Sequence, residues 1–470
     1  PKHYRLLPAI LAVMLVVPFV TCTNLTVSAA TSQDDDEGVG IALGAHIPPV
    51  DPSFGPNQLY FWQEIATFIQ LTGQQHPIIM YYGDLTSGFN DYMLGQLRDK
   101  LNPSPVPYIQ MDPIGLSLND IAHGVHDAKL RSNAAVAKRF GKPMIVGFAH
   151  EFNITSSPFY GNPATYIAAW RHVHGVFAQE GVTNVQWLWP PNYMSDRPDL
   201  PTTDYNLYYP GDSYVDWIGV FGFNWGSDLT RGPGWVQFEY LFDDFLLNTS
   251  CRYDKPILVG ATGSVEGPGS KAQWIAHTYR ALQEYPNVRA ILWFNDFAYG
   301  NPSEADFRVT VLSRYGATPG PIPTITNAYK YAIDDPSFAT TLAPYDQLKP
   351  PSRVCFTVDT EPKATLLEWG DQTTAQVLVE HAPIFGTSVS ISVTGAPDGL
   401  RYSADPPIIS SGASDGTIEL QATSDTPPGT YVLTVSGEAE GLTQSTTLRV
   451  TVVEEAHRTF LPMVSSAAKP

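Results

Sequence analysis

The sequence predicts an α/β fold, a (β/α)8 barrel of the TIM type, followed by a small all-β sandwich of immunoglobulin-like type. Two observations predict it. Short apolar runs alternate eight times with longer segments of helical spacing, and further on apolar residues recur at every second position. A doubly wound open sheet would also alternate, but no G-x-G-x-x-G follows the first apolar run, so dinucleotide binding loses its main support.

Barrel strands are expected where apolar residues cluster between turn residues. They cover 40–46, 77–84, 105–112, 143–151, 184–189, 215–223, 256–261 and 290–295. Helical spacing predicts helices over 59–71, 131–140, 164–178, 238–247 and 271–285, and a closing helix over 325–333.

The first thirty residues have the layout of a secretory signal. Lys2 and Arg5 precede an apolar run over 6–20, and small residues end at Ala30, where we expect cleavage. A membrane anchor is the alternative, but the run is shorter than the roughly 20 residues that a spanning helix needs. We therefore expect a secreted or cell-surface protein, with an acidic leader over 31–37 and no membrane contact after cleavage.

The remaining boundaries follow from changes of pattern. The barrel is expected over 38–341, and a Pro-rich linker over 342–356 contains two adjacent prolines that bar helix and interior strand. The sandwich is expected over 357–454, with strands at 375–379, 389–393, 417–420, 431–435 and 448–452. The tail, 455–470, is either an edge strand or a surface signal. After signal cleavage Cys251 and Cys355 remain, either as a disulfide or as two thiols.

Charge narrows the range of partners. The chain has 27 basic and 46 acidic residues, a net charge of -19, which disfavours nucleic acid and anionic membrane surfaces. A neutral or cationic ligand fits better. We expect neither a cofactor nor a metal.

Motifs whose residue types could bind or act on a ligand lie in or next to the fourth to seventh predicted strands. They are Gly147-Phe-Ala-His150-Glu151-Phe-Asn153, Trp187-Leu-Trp189-Pro-Pro-Asn192, Asp216-Trp217-Ile-Gly219, and Lys255-Pro256-Ile257 with Gly263-Ser264. In this order, over 40–307, the series resembles glycoside hydrolase family 26. That family comprises retaining β-mannanases and relatives that act on other β-linked glucans and xylans. The resemblance implies a barrel with its site at the carboxyl ends of the strands.

The resemblance also implies roles for single residues. Glu151 matches the general acid/base at the end of the fourth strand, and His150 and Asn153 would flank the sugar. Trp293 matches an aromatic platform on the last strand, where a flat indole suits the apolar face of a pyranose. Trp189, Phe221 and Phe223 are further expected substrate contacts, whereas Trp187 and Trp217 are expected to be packing residues.

The second carboxylate of a retaining glycosidase is missing from the pattern. Such enzymes need two carboxyl groups about 5 Å apart, one to donate a proton and one to attack. In the family the attacking glutamate precedes the Thr-Gly-Ser-like turn of the seventh strand, where this chain has Ala261. The family's Asp-Gly-Tyr on the sixth strand is replaced by Phe221-Gly222-Phe223. The loss of all three polar groups favours natural loss of activity over one introduced substitution.

We therefore expect a secreted barrel that binds or displays a β-linked polysaccharide or oligosaccharide, with any cell-surface association made through the C-terminal region. The alternative is an active glycoside hydrolase, a β-mannanase or related endo-β-glycanase, that pairs Glu151 with a relocated carboxylate. An inverting pair stands about 6.5 to 9.5 Å apart. Four carboxylates are candidates: Asp84, Asp112 and Asp296 near strand tips, and Glu266 beyond the turn after the seventh strand. Of these, Asp112 or Asp296 with Glu151 is a possible hydrolase pair. A third hypothesis makes the sandwich the functional part and the barrel a scaffold.

Overall fold

The first part of the computed structural model is a closed barrel of eight parallel strands. The model describes residues 40–49, 60–193, 204–348 and 353–454. Each barrel strand pairs with the next, and the last pairs again with the first, which closes the ring. The barrel strands are β1 (Ile41–His46), β2 (Ile78–Asp84), β3 (Val106–Asp112), β4 (Met144–Phe148), β5 (Val185–Trp189), β6 (Trp217–Asn224), β7 (Ile257–Ser264) and β8 (Val288–Phe294). All eight predicted strands are confirmed.

Helices surround the barrel. They are α1 (Phe61–Thr72), α2 (Asp91–Lys100), α3 (Leu118–Ala122), α4 (Asp127–Phe140), α5 (Pro163–Gln179), α6 (Phe238–Arg252), α7 (Lys271–Ala281) and α8 (Pro323–Ile333). The six predicted helices are confirmed within a few residues. The sequence pattern predicts neither α2, in which the buried residues are Leu94 and Leu97, nor the five-residue α3. In the described part of the chain, none of the helices has the length and apolar character needed to cross a bilayer.

The barrel strands are buried on both faces. Every residue of β1, β4 and β7 is buried, the pattern of a parallel sheet covered by helices. Inward-facing residues such as Ile78 and Leu258 fill the barrel. Outward-facing aromatic residues pack under the helices, among them Trp187, which lies against Phe177 of α5 with ring centroids 5.2 Å apart. The expectation that Trp187 and Trp217 are packing residues is confirmed, since both are buried.

A two-sheet sandwich follows the barrel. Short strands β9 (Thr310–Val311), β10 (Gly320–Pro321) and β11 (Phe338–Ala339) precede it, and β11 pairs with the start of β1. The strands of the sandwich are β12 (Phe356–Glu361), β13 (Ala364–Glu368), β14 (Gln372–His381), β15 (Val389–Thr394), β16 (Leu400–Asp405), β17 (Ile408–Ile409), β18 (Asp415–Ala422), β19 (Gly429–Ala439) and β20 (Leu442–Val453).

The two sheets have the orders β12-β14-β18-β16 and β13-β20-β19-β15-β17. Their pairings are antiparallel, apart from the parallel pair β13 and β20. Each of the five strands predicted from period-two spacing lies within an observed strand. The immunoglobulin-like type of the sandwich stays a prediction. The expected signal, leader and tail, and positions 349–352 of the expected linker, lie outside the described residues.

Helix α6 of the barrel carries the contact with the sandwich. Leu247 and Cys251, on this helix, belong to the apolar core of the sandwich. Cys251 forms a disulfide with Cys355, which settles the question left open by the sequence. Next to it, the Val354 amide donates to the Ser250 carbonyl at 3.1 Å. The barrel and the sandwich are therefore joined by a covalent bond and by a shared core.

Replacing both cysteines with serine is expected to lower the free energy of unfolding by about 2–5 kcal/mol. The disulfide closes a loop of 104 residues in the unfolded chain, and its loss restores that conformational freedom. Urea unfolding followed by circular dichroism measures the change. A reductant should shift the wild type in the same direction and leave the double variant unchanged. An unaltered midpoint in the double variant would contradict the expectation.

Candidate functional site

A cavity of about 750 Å³ lies at the carboxyl ends of the barrel strands. We call it the main cavity. Its wall is made by side chains at or just after the ends of six strands, as expected for a barrel of this type. They include His46, Tyr82, His150, Glu151, Asn192, Tyr193, Phe223, Trp225, Phe294, Asp296, Tyr299, Phe307 and Arg314. Strands β3 and β7 contribute none of the lining residues.

Strand β3 supports the cavity from below with a row of polar side chains. Tyr108, Gln110 and Asp112 stand at alternate positions, so they point to the same face of the strand. The Tyr108 hydroxyl donates to Gln110 Oε1 at 2.8 Å, and Gln110 Nε2 donates to Asp112 Oδ1 at 2.9 Å. Gly147 of β4 provides the space that this row needs, because a Cβ there would lie 2.3 Å from Gln110 Oε1. The row ends at a carboxylate held under the site.

Asp112 pairs with His150. Its Oδ2 lies 2.7 Å from the His150 Nδ1, and its Oδ1 accepts the His150 backbone amide at 3.2 Å. The ring N–H is not well aligned with Oδ2, so the 2.7 Å contact is an ion pair more than a hydrogen bond. Burial would lower the pKa of His150, but the Asp112 carboxylate, with a smaller contribution from Glu151, raises it to about 9. His150 therefore presents an imidazolium to the main cavity at neutral pH.

Glu151 is aimed at the cavity by a tight turn after β4. Ala149 and Glu151 both have left-handed backbone angles, with φ of 51° and 53°, which non-glycine residues rarely adopt. The Glu151 amide donates to the Pro190 carbonyl at 2.9 Å, which holds the turn against the end of β5. Such a conformation costs of order 1 kcal/mol and persists where its surroundings fix it. This strain marks Glu151 as a positioned side chain.

The Glu151 carboxylate has two polar neighbours. Asn192 Nδ2 donates to its Oε1 at 2.7 Å, and His150 Nε2 lies 3.9 Å from its Oε2. Asn192 is itself fixed by Asn153, whose side chain makes two hydrogen bonds to the Asn192 backbone. Asn153 Nδ2 donates to the Asn192 carbonyl at 2.9 Å, and the Asn192 backbone amide donates to Asn153 Oδ1 at 2.8 Å. Asn153 is thus a positioning residue. In contrast to the expectation, it does not line the main cavity, since it is fully buried.

Aromatic rings form the opposite wall of the main cavity. Phe294, at the end of β8, stacks on His46 with ring centroids 4.5 Å apart. Phe223 of β6 meets Phe294 edge-on at 5.4 Å. Burial lowers the pKa of His46 to about 3, so this imidazole is neutral. These three rings are therefore uncharged, and they line the same cavity as Glu151 and His150.

Asp296 brings a second carboxylate to the main cavity. It follows β8, is 3% exposed, and its Oδ2 accepts a bond from Arg314 Nη1 at 3.0 Å. The other candidate partners of Glu151 have different places. Asp112 lies beneath His150, Asp84 accepts the Thr86 amide at 2.9 Å in the turn after β2, and Glu266 accepts the Lys271 amide at 3.2 Å where α7 begins. Of the four candidates, only Asp296 lines the same cavity as Glu151.

Ala261 lies behind the wall of the main cavity. It is fully buried and belongs to the interior cluster that contains Leu258, Phe221 and Phe294. A carboxylate at this position would enter an apolar cluster, where an unpaired charge costs several kcal/mol. The position expected for a nucleophile therefore has neither the group nor a polar environment for it.

The prediction that Trp293 forms an aromatic platform is wrong. Its side chain is fully buried and packs outward against Trp274 of α7 and Tyr329 of α8, with centroid distances of 6.0 and 5.8 Å. Its Nε1 donates to the Phe307 carbonyl at 2.8 Å. Because side chains alternate along a strand, the next residue, Phe294, is the one that faces the cavity.

Two other expected substrate contacts are also wrong. Trp189 is fully buried outside the barrel, against Phe152 and Tyr209. Phe221 is buried beneath the site, with its ring centroid 5.4 Å from that of His150. Phe223, His150 and Glu151 do line the main cavity. The sequence pattern assigns no role to Asn192, although a polar residue directly after a barrel strand is a signal for a site residue.

Comparisons with known proteins indicate which class of protein the chain resembles. No protein-family model matches the chain. It is 29% identical over 253 residues to Endoglucanase H of Acetivibrio thermocellus, a match that covers 52% of this chain and 27% of that protein. The chain thus spans about a quarter of the length of that relative.

Solved structures of mannanases are also similar. A GH26 β-mannanase from Bacteroides ovatus is 15% identical, with a TM-score of 0.45, over 67% of this chain and 94% of its own. The endo-β-1,4-mannanase from Thermotoga petrophila is 11% identical, with a TM-score of 0.42, over 89% of this chain and 99% of its own. The barrel assignment rests on the strand register described above and not on these scores.

The fold, the position of the cavity and the sequence match define a glycoside hydrolase-like (β/α)8 barrel. Within this class, glycoside hydrolase family 26 is the family that the chain resembles.

Asp112→Asn is expected to lower the pKa of His150 from about 9 to near or below its ordinary value of 6.5, because burial then opposes the charge with less compensation. In the wild type, the raised pKa of His150 means that the folded protein binds this proton more tightly than the unfolded chain does. The resulting stabilisation is complete below about pH 6.5 and is lost as pH rises through 9. Titration of the labelled imidazole by NMR measures the pKa. Asp91→Asn, on an exposed carboxylate paired with Arg139, is the control. An unchanged His150 pKa in Asp112→Asn would contradict the role of the pair.

Proposed function

We propose that the main cavity binds a β-linked polysaccharide and that the barrel no longer performs retaining hydrolysis. One observation carries the proposal. The cavity brings a positioned carboxylate, an imidazolium and aromatic rings together, while the position expected for a nucleophile, Ala261, is a buried methyl group. The resemblance to family 26 and the names of the similar proteins, an endoglucanase and β-mannanases, support a β-linked glycan as the ligand class.

The two walls of the cavity suit the two kinds of surface on a sugar. Pyranose rings have an apolar face of C–H groups that packs on aromatic rings, here Phe223 and Phe294. Their hydroxyls need donors and acceptors, which Glu151, Asn192 and the Asp296–Arg314 pair supply. This combination of apolar packing and a few oriented polar groups is typical of small-molecule sites.

Retaining hydrolysis needs a covalent bond between the anomeric carbon and a carboxylate oxygen. Strand β7 would have to supply that oxygen, yet it contributes nothing to the lining of the main cavity, and the phenyl rings of Phe221 and Phe223 replace the polar groups that would support it. Glu151 has no carboxylate partner on β7. Binding without glycosyl transfer is the function that this geometry supports.

A second candidate function is inverting hydrolysis, and one observation favours it: Asp296 lines the same cavity as Glu151. An inverting enzyme needs a base that activates water on the face of the sugar opposite the acid. In this structure the Asp296 carboxylate is bound to Arg314 at 3.0 Å, which ties up one of its oxygens. That contact favours a structural role for Asp296, and we therefore rank glycan binding above inverting hydrolysis as the proposed function.

We also propose that the protein is secreted and that the sandwich, fixed to α6 by the disulfide, holds the barrel at a cell surface or in a larger assembly. The proposal is supported by the signal-like start of the sequence and by a cross-link suited to an oxidising compartment.

The purified protein is expected to release no reducing ends from mannan, mixed-linkage glucan or xylan, because no carboxylate occupies the position of the nucleophile. A colorimetric reducing-sugar assay, with an active β-mannanase as the positive reference, checks this. Turnover that is abolished in both Glu151→Gln and Asp296→Asn would contradict loss of activity and establish the inverting alternative.

Tyr82→Ala is expected to weaken binding of mannan- or glucan-derived oligosaccharides about tenfold, because one aromatic contact of the cavity is lost. Tyr82 is 38% exposed at the end of β2 and meets His150 with centroids 5.5 Å apart. Isothermal titration calorimetry gives the affinity. Tyr92→Ala is a matched control, since Tyr92 is an exposed tyrosine on α2 outside the cavity. Equal affinity of the two variants would place the ligand elsewhere.

A further inference from the structure

A second cavity, of about 790 Å³, adjoins the main cavity. Its wall includes Asp228, Glu266, Lys271, Glu304 and Asp306, from the loops that follow β6, β7 and β8 and from the start of α7. Trp225 and Arg231 line both cavities. The walls of the two cavities therefore share these two side chains, which we call the partition.

Arg231 is held in the partition by groups on both of its sides. Toward the second cavity, its Nη1 lies 2.7 Å from Glu304 Oε2, and its Nε lies 3.5 Å from Asp228 Oδ2. Toward the main cavity, its guanidinium lies over the ring of Tyr299, 5.2 Å from the centroid. The same guanidinium also covers the ring of Trp225 at 5.3 Å. Arg231 therefore links the loop after β6 to the loop after β8 and covers an indole face.

Tyr299, which packs against Arg231 of the partition, has an unusual backbone conformation. It is 79% exposed, yet its φ and ψ are 54° and 19°, in the left-handed region that large side chains rarely adopt. A bulky exposed aromatic residue in this region is an outlier, and such outliers cluster at ligand-binding sites. The loop after β6 is also folded closely over the indole, since a Cβ on Gly232 would lie 3.0 Å from Trp225 Cδ1.

We propose that Arg231 is a gate between two sections of one polysaccharide-binding groove. The proposal rests on the proposed function and adds to it the residue that sets the length of chain the groove accepts. In the closed arrangement, which is the one in this structure, Arg231 covers Trp225. A chain bound beside Glu151 then ends against Arg231. A longer chain continues into the second cavity when Arg231 leaves Trp225, and a sugar ring then takes the place of the guanidinium on the indole.

The chemistry of the partition fits this exchange. Sugar rings and guanidinium groups both stack on aromatic faces, so one can replace the other on Trp225. The side chain of Arg231 is 28% exposed, and ion pairs of partly exposed side chains contribute little to stability. Beyond the gate, Asp228 and Glu304 offer carboxylate oxygens to sugar hydroxyls. The ligand is therefore an extended, uncharged β-linked chain that spans both cavities.

The test compares affinity across a series of β-1,4-linked manno- and gluco-oligosaccharides, from disaccharide to octasaccharide, by isothermal titration calorimetry. Wild-type affinity is expected to rise with chain length and then level off once the main cavity is filled. In Arg231→Ala the rise should continue, so that the octasaccharide gains about tenfold over wild type while the disaccharide changes little. Glu304→Gln, which keeps the arginine but removes its ion pair, should shift the profile in the same direction by a smaller factor.

Arg139→Ala is the matched control, because Arg139 forms an exposed ion pair with Asp91 on the helices and lines neither cavity. Its length profile should equal that of the wild type. An Arg231→Ala profile that levels off at the wild-type length overturns the gate and leaves the proposed function standing. Equal weakening of every chain length also overturns it, because Arg231 would then be a direct contact of the ligand. If no oligosaccharide binds to the wild type, the proposed function fails and the gate fails with it.

Discussion

The buried pair of Asp112 and His150 is the interaction on which the site depends. Asp112 is 4% exposed, so its charge must be compensated within the protein, and the row from Tyr108 through Gln110 together with the imidazolium does this. The same pair fixes the start of the turn that carries Glu151, because the His150 amide is bonded to Asp112 as well. The arrangement of the polar wall thus follows from a hydrogen-bonded row on one strand of the barrel.

The part of the barrel formed by β6 and β7 is apolar where the family resemblance predicts polar groups. Where a retaining enzyme needs a nucleophile and its polar supports, this chain has Ala261, Phe221 and Phe223, which pack with or against the interior apolar cluster that also contains Phe294. These substitutions agree with one another, since an isolated carboxylate there would be buried without a partner. In the site, polar side chains line one part of the main cavity, and apolar side chains occupy the position expected for the attacking carboxylate. Its two walls are therefore consistent with binding as the retained task.

The sequence was sufficient for the barrel, because eight apolar runs in a fixed alternation leave few other arrangements. It also located Glu151 and His150, since polar residues directly after a strand lie at the rim. It failed for Trp293 and Trp189, because alternation along a buried strand does not say which of two neighbours faces inward when both faces are apolar. Asn192, Arg314 and Arg231 depend on contacts between distant loops, which no local pattern reveals.

The bonded asparagines also bear on how the protein can be made. Asn153 is followed by Ile154 and Thr155, a triplet that accepts N-linked glycans in hosts that attach them during synthesis. In the folded chain its Nδ2 is buried and donates to Asn192, so a glycan on this atom and the closed site exclude each other. A host without N-glycosylation avoids this conflict. In a glycosylating host, removal of Thr155 would leave the paired amides intact.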